Sequence, residues 1–244
     1  MTTVEWNECT TKPAMMYRRV ASSLSARKLQ LLACAQSRLL PLDALEPWAL
    51  QAIETAEAFA EGELPAAEFH QVAERVRQAC DDLEMRQAVH GDVPEEAISA
   101  ATTVLCCTGM ASLVKSIPAL MEHVQRYDQL TTPRGLKLKS RAMLLSRQCH
   151  LVREITPYPV TDYKRLLGKQ PAVEFADGKT FEITETARSI AISTHTDQAF
   201  DRLPILADAL EDAGCPDEGL LHHLRHGEHH IRGCWALDLI LGRG

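Results

Sequence analysis

Beginning at Pro65, the residues Phe69, Val72, Ala73, Val76, Cys80 and Leu83 recur at steps of three and four. That spacing gathers them on one face of an α-helix, whereas a strand would scatter them over both faces. The same grammar runs through most of the chain. Ser25 is placed to cap a helix that reaches Leu40 and stops at Pro41, and apolar residues cover most of its circumference. A further helix is expected from Pro47 to Ala60, ended by Gly62. The stretch from Pro94 to Leu130 stays helical but is interrupted at Gly109 and Pro118, so a kink or two helices are expected, with Ser116 as a cap for the second. After a loop at residues 131–135, Leu138, Ala142, Leu145, Cys149 and Val152 mark a helix from Leu136 to Ile155.

Past Ile155 the pattern changes. Pro157, Pro159, Gly168 and Pro171 punctuate an irregular connector, and residues 172–183 then alternate around Asp177-Gly178, a strong hairpin signal. Such a hairpin is marginal alone and must pack on helices. Helices resume at Thr184–Thr194, Asp201–Ala213 with Asp201 as cap, Asp217–Arg225 and His230–Leu241. The expectation is a mostly α protein, a multi-helix bundle or helical array with one short β-hairpin. It is read as a single domain over 1–244, with a subdomain boundary near 131–135 or 155–172.

At 244 residues with 45 % hydrophobic and 24 % charged residues, the chain is long enough to bury a full core. The net charge of −7 disfavours a general nucleic-acid or anionic-membrane binder, which needs a basic surface. No apolar run reaches the roughly 18–20 residues that span a bilayer, and residues 1–13 have no targeting pattern. A cytoplasmic location is expected. There the eight cysteines are expected as free thiols packed like small hydrophobes.

Chemistry-bearing residues concentrate near the carboxy end. Five of the ten histidines fall between His222 and His230, bracketed by Cys215 and Cys234. If the last helix begins at His230, that residue and Cys234 lie one turn apart on one face. Cys215 and one of His222, His223 or His226 would complete a nitrogen–sulfur set suited to zinc. No CxxC, HExxH, GxSxG or phosphate-loop motif is present, and the competing reading is packed thiols and solvated imidazoles. Asp238 falls in an apolar segment and needs a counter-ion, for which Arg232 and Arg225 are the nearest bases. A basic run without acids before Glu154 includes Arg141 and Arg147, the candidate nucleic-acid contacts.

Two blocks carry a resemblance. Glu5-Trp6, Cys9, Arg27-Lys28-Leu29, Ala33-Cys34-Ala35 and Arg38 form the first. The second holds Phe200-Asp201, the run from Leu203 to Cys215, His223, Arg225, His230, Arg232-Gly233-Cys234-Trp235 and Asp238-Leu239. Both resemble a family of uncharacterised planctomycete-type bacterial proteins. The resemblance implies a mostly helical protein and no particular activity. Family members often carry extra cysteines where this chain has Gln36, Ser37 and Leu224, which confines a shared metal site to Cys215, His223, His230 and Cys234. The leading functional expectation is a non-enzymatic, protein-binding adaptor, regulator or accessory subunit. A zinc-binding protein, with structural or hydrolytic metal, is the alternative, and a nucleic-acid accessory protein the second. No catalytic residue is assigned.

Overall fold

The computed structural model describes residues 1–41, 47–109, 113–133, 135–157, 163–166, 172–175, 178, 180–227 and 229–243. Among these the chain forms twelve α-helices and a three-stranded antiparallel sheet. It divides into two compact units, Met1–Val152 and Arg153–Gly244.

The first unit holds α1 (Thr3–Glu8), α2 (Pro13–Val20), α3 (Ala26–Ser37), α4 (Pro47–Ala60), α5 (Ala66–His90), α6 (Glu95–Thr108), α7 (Leu113–Thr131) and most of α8 (Lys137–Ile155). Ser25 caps α3 as expected, its hydroxyl accepting from the Lys28 amide at 3.2 Å. Helix α3 is buried almost all round and packs against α4, α6 and α7. On α5, Phe69, Val76 and Cys80 are buried and Phe69 stacks on Phe59 with ring centroids 4.3 Å apart. His70 is exposed beside that stripe. Helices α1 and α2 were not anticipated. A capping box at Thr2 and Glu5 fixes α1, and Pro13 opens α2 from its first turn.

Of the two expected interruptions, the one at Gly109 is present and the one at Pro118, with Ser116 as its cap, is not. Helix α6 ends at Gly109, and Ser116 lies inside α7, which continues through Pro118. Proline has no N–H to give the carbonyl four residues back, here Val114. The Tyr17 hydroxyl of α2 supplies the missing donor, at 2.9 Å from the Val114 oxygen. Tyr17→Phe is therefore expected to destabilise this unit by about 1 kcal/mol, the cost of one lost hydrogen bond. Burial pushes the Tyr17 phenol up to about 12 from its ordinary 10.0. The folded state then holds the proton that the unfolded chain releases, so this contribution is full below pH 10 and is lost as pH climbs towards 12. Denaturant titrations of wild type and Tyr17→Phe across that window should show the extra alkaline loss in wild type alone.

Polar side chains also reach into this core. Gln148 of α8 donates to the Met121 carbonyl at 3.1 Å and accepts from Gln125 at 2.8 Å, both partners on α7. All eight cysteines are free thiols, six of them buried. Burial raises Cys80 to about 12 and Cys106 to about 11, so both stay protonated at neutral pH.

The second unit begins in the last turn of α8. It continues with β1 (Tyr163–Leu166), β2 (Ala172–Phe175), β3 (Thr180–Glu182), α9 (Glu185–Asp197), α10 (Leu203–Asp212), α11 (Glu218–His226) and α12 (Trp235–Leu241). The hairpin pairs β2 with β3 in the register Val173↔Phe181. Gly178 has φ +78, a conformation glycine adopts without strain. Asp177 lies outside the described residues. Strand β1 adds an edge to β2, where the sequence suggested only a connector. Lys164 and Arg165 interrupt apolar alternation in the sequence, which hides a strand from periodicity.

As expected, the hairpin packs on helices. Val173, Phe175 and Phe181 join Leu206, Leu224 and Trp235 in one core. Asp201 does not cap α10; it sits in a 3-10 turn, Phe200–Arg202, and α10 starts at Leu203 with Pro204 in its first turn. No described helix is long and apolar enough to cross a membrane.

Candidate metal centre

The final helix starts at Trp235 and not at His230. The residues between form a turn: the Cys234 amide donates to the Ile231 carbonyl at 3.0 Å and Gly233 takes φ +84. Cys234 therefore becomes the N-cap residue of α12. His230 and Cys234 still meet, with the Cys234 Sγ 3.7 Å from His230 Nδ1, through a tight turn in place of a shared helix face.

Two further groups close on that pair. His223, in the last turn of α11, brings its Nε2 to 3.2 Å from the Cys234 Sγ. Glu154, from the last turn of α8, reaches between the imidazoles, with Oε2 3.0 Å from His230 Nδ1 and Oε1 3.6 Å from His223 Nε2. The candidate ligand atoms of Glu154, His223, His230 and Cys234 all lie within 4.8 Å of one another. This Glu/His/His/Cys group could hold a metal ion.

The edges of that tetrahedron discriminate between a metal pocket and a chance cluster. With zinc–nitrogen and zinc–oxygen bonds near 2.0 Å and zinc–sulfur near 2.3 Å, tetrahedral angles give ligand–ligand edges of about 3.3–3.6 Å. Four of the six separations here run from 3.0 to 3.7 Å, with Glu154 turning a different oxygen to each imidazole, and all lie within 4.8 Å. Little movement would bring them to bonding distance. Burial points the same way: the side chains of Glu154, His230 and His223 are 1 %, 6 % and 16 % exposed, and Cys234 is 1 % exposed overall. Taking a carboxylate out of water is costly without a compensating charge or hydrogen bonds.

Packing sets the ring orientations. The His223 imidazole lies against Trp235 at 4.9 Å between centroids and meets His230 edge-on at 5.2 Å. The opposite edge of His230 rests on Gly227. A Cβ at that position would stand 2.1 Å from His230 Cε1 and 2.3 Å from Nε2. No side chain larger than hydrogen fits while His230 points Nδ1 inward.

No protein-family model, curated protein or solved structure matches the chain.

The structure brings together His223, His230 and Cys234 of the expected set. Cys215 is not among them. It is buried in the turn after α10, its amide bonded to the Leu210 carbonyl at 2.9 Å, and burial pushes its thiol up, away from the thiolate a metal needs. Glu154 takes its place, a residue that in the sequence only closes a basic run. A signal was available: it is the one acid on a helix of six Lys, Arg and His residues, next to the apolar Ile155.

Of the two bases expected beside Asp238, Arg225 has acidic partners on α10. Arg225 engages Asp208 at 2.7 Å and also Glu211, which hold its guanidinium firmly protonated. Asp238 is buried, and Arg232 is half-buried just ahead of α12. Arg141 and Arg147 are both exposed on α8. His222, His226 and His229 are exposed and stand outside the four-residue centre.

Proposed function

We propose that this protein binds zinc through Glu154, His223, His230 and Cys234, and that the metal is structural. The observation that carries this reading is the convergence of four buried or half-buried donors whose ligand atoms all lie within 4.8 Å of one another. The donor chemistry supports a divalent ion: one thiolate and one carboxylate balance two positive charges, and two neutral imidazoles complete the shell. A neutral assembly avoids the penalty of a buried net charge. Sulfur and imidazole together favour zinc over magnesium or calcium, which prefer all-oxygen shells. Four protein ligands leave no open position for an activated water, so a staple is favoured over a hydrolytic centre.

Among the readings that the sequence leaves open, zinc binding is the one for which side chains converge among the described residues. Protein binding and the Arg141–Arg147 surface rest on exposure alone. In the same second unit, we assign Arg232 as the counter-ion of Asp238, because Arg225 is taken by Asp208 and Glu211.

Elemental analysis of protein purified without a histidine tag is expected to find one zinc per chain. Cys234→Ser and His223→Ala should each weaken zinc binding at least about a hundredfold, since even supporting partners of metal ligands are worth 10–100-fold. Cys215→Ser should leave the zinc content unchanged. Failure to take up zinc on refolding with the metal, or equal zinc retention in Cys234→Ser and His223→Ala, would remove the proposal.

A further inference from the structure

The buried centre uses one face of α11 and leaves two histidines on the other. His222 and His226 are exposed, one helical turn apart, with ring centroids 4.4 Å apart and planes 26° from parallel. Residues at this spacing project side by side. We propose that His222 and His226 form a second, solvent-facing site that takes a nitrogen-seeking divalent cation of the copper(II) class through two imidazole nitrogens.

Three features of the pair support this beyond proximity. The His226 Nδ1 lies 3.2 Å from the His222 carbonyl oxygen. A carbonyl only accepts, so that nitrogen carries the proton and Nε2 is left as a bare lone pair. Metal-bound histidines are commonly held by such a bond from the other ring nitrogen to a backbone carbonyl. The electrostatics also favour a cation. The pair sits in the carboxy-terminal half of α11, near the negative end of the helix dipole, and Glu218 lies one turn before His222 on the same stripe. Arg225, the nearest cation on the helix, is neutralised by Asp208 and Glu211.

Copper(II) heads the affinity order of first-row divalent ions for nitrogen donors, which makes it the most sensitive probe. Two imidazoles on an exposed face hold it in a tetragonal shell completed by water. The site does not require the buried centre, since none of Glu154, His223, His230 or Cys234 belongs to it.

The test is copper(II) titration followed by electron paramagnetic resonance, on zinc-treated wild type and on the Cys234→Ser variant. One bound copper with nitrogen hyperfine structure from two imidazoles is expected in both. That signal should be lost in His222→Ala and in His226→Ala, whose zinc content should match wild type. Alanine is the strongest helix former, so α11 persists in both variants. A copper signal unchanged by either substitution, or no copper bound, would overturn the inference. Because Cys234→Ser lacks a ligand of the buried centre, failure of the zinc proposal leaves this readout intact, and the reverse also holds.

Discussion

Gly227→Ala is expected to abolish tight metal binding while leaving the second unit folded. The added methyl would fall 2.1–2.3 Å from the His230 ring, and the His223 carbonyl at 3.0 Å blocks its retreat. Relief requires His230 to move by more than an ångström, which takes Nδ1 away from Glu154 and Cys234. Gly227 has φ −61, a backbone that alanine adopts freely, so no conformational strain is added and the unfolded chain loses some entropy. The metal-free variant should thus unfold at or slightly above the temperature of metal-free wild type. Its zinc affinity, measured by competition with a chromophoric chelator, should fall at least about a hundredfold, as far as that of His230→Ala. The double variant is the decisive arm. If Gly227 acts through His230, Gly227→Ala adds nothing once the imidazole is gone. Additive losses in the double variant, or wild-type affinity in Gly227→Ala, would show that the glycine does not position the ring.

Removing the metal should also cost much of the second unit's stability. A ligand that binds only the folded state stabilises it by about 4 kcal/mol at a thousandfold excess over its dissociation constant. For a unit of this size that corresponds to a fall of roughly 15–30 °C in melting temperature on chelation. A metal held there would link the end of α8 to the turn before α12, so the loss should register in the near-ultraviolet signal of Trp235, which packs on His223. In His223→Ala the chelator should have no effect. A melting curve indifferent to chelation in wild type would contradict a structural metal.

The helices were legible because their determinants are local. Ser25, Pro65, Pro94 and Asp217 stand at helix starts, as capping and proline chemistry dictate, and apolar periodicity located α3 to α5 within a few residues. Errors arose where a local rule met a longer-range one. Pro118 stays inside a helix because Tyr17, almost a hundred positions away, satisfies the carbonyl it orphans. The last helix yields its first turn to the bend at Gly233, which aims Cys234 at His223. Three of the four residues that converge at the candidate centre, His223, His230 and Cys234, are legible in the sequence since they crowd one short stretch. Glu154 was missed because nothing near it in sequence needs a carboxylate, and Cys215 was included because proximity along the chain resembled proximity in space. The crowding of histidines likewise concealed their division between two sides of α11.

That uneven distribution of ligands bears on the order in which the chain matures. His223 and Cys234 are eleven positions apart, whereas Glu154 precedes His230 by seventy-six. Joining the distant carboxylate requires a long loop to close, while the local trio needs only a short one. Metal capture should therefore begin as a weak three-handed grasp by the emerging α11–α12 segment and finish when the end of α8 docks. A nascent chain would in this way carry its ion into assembly, and the carboxylate would act as the latch that seals it.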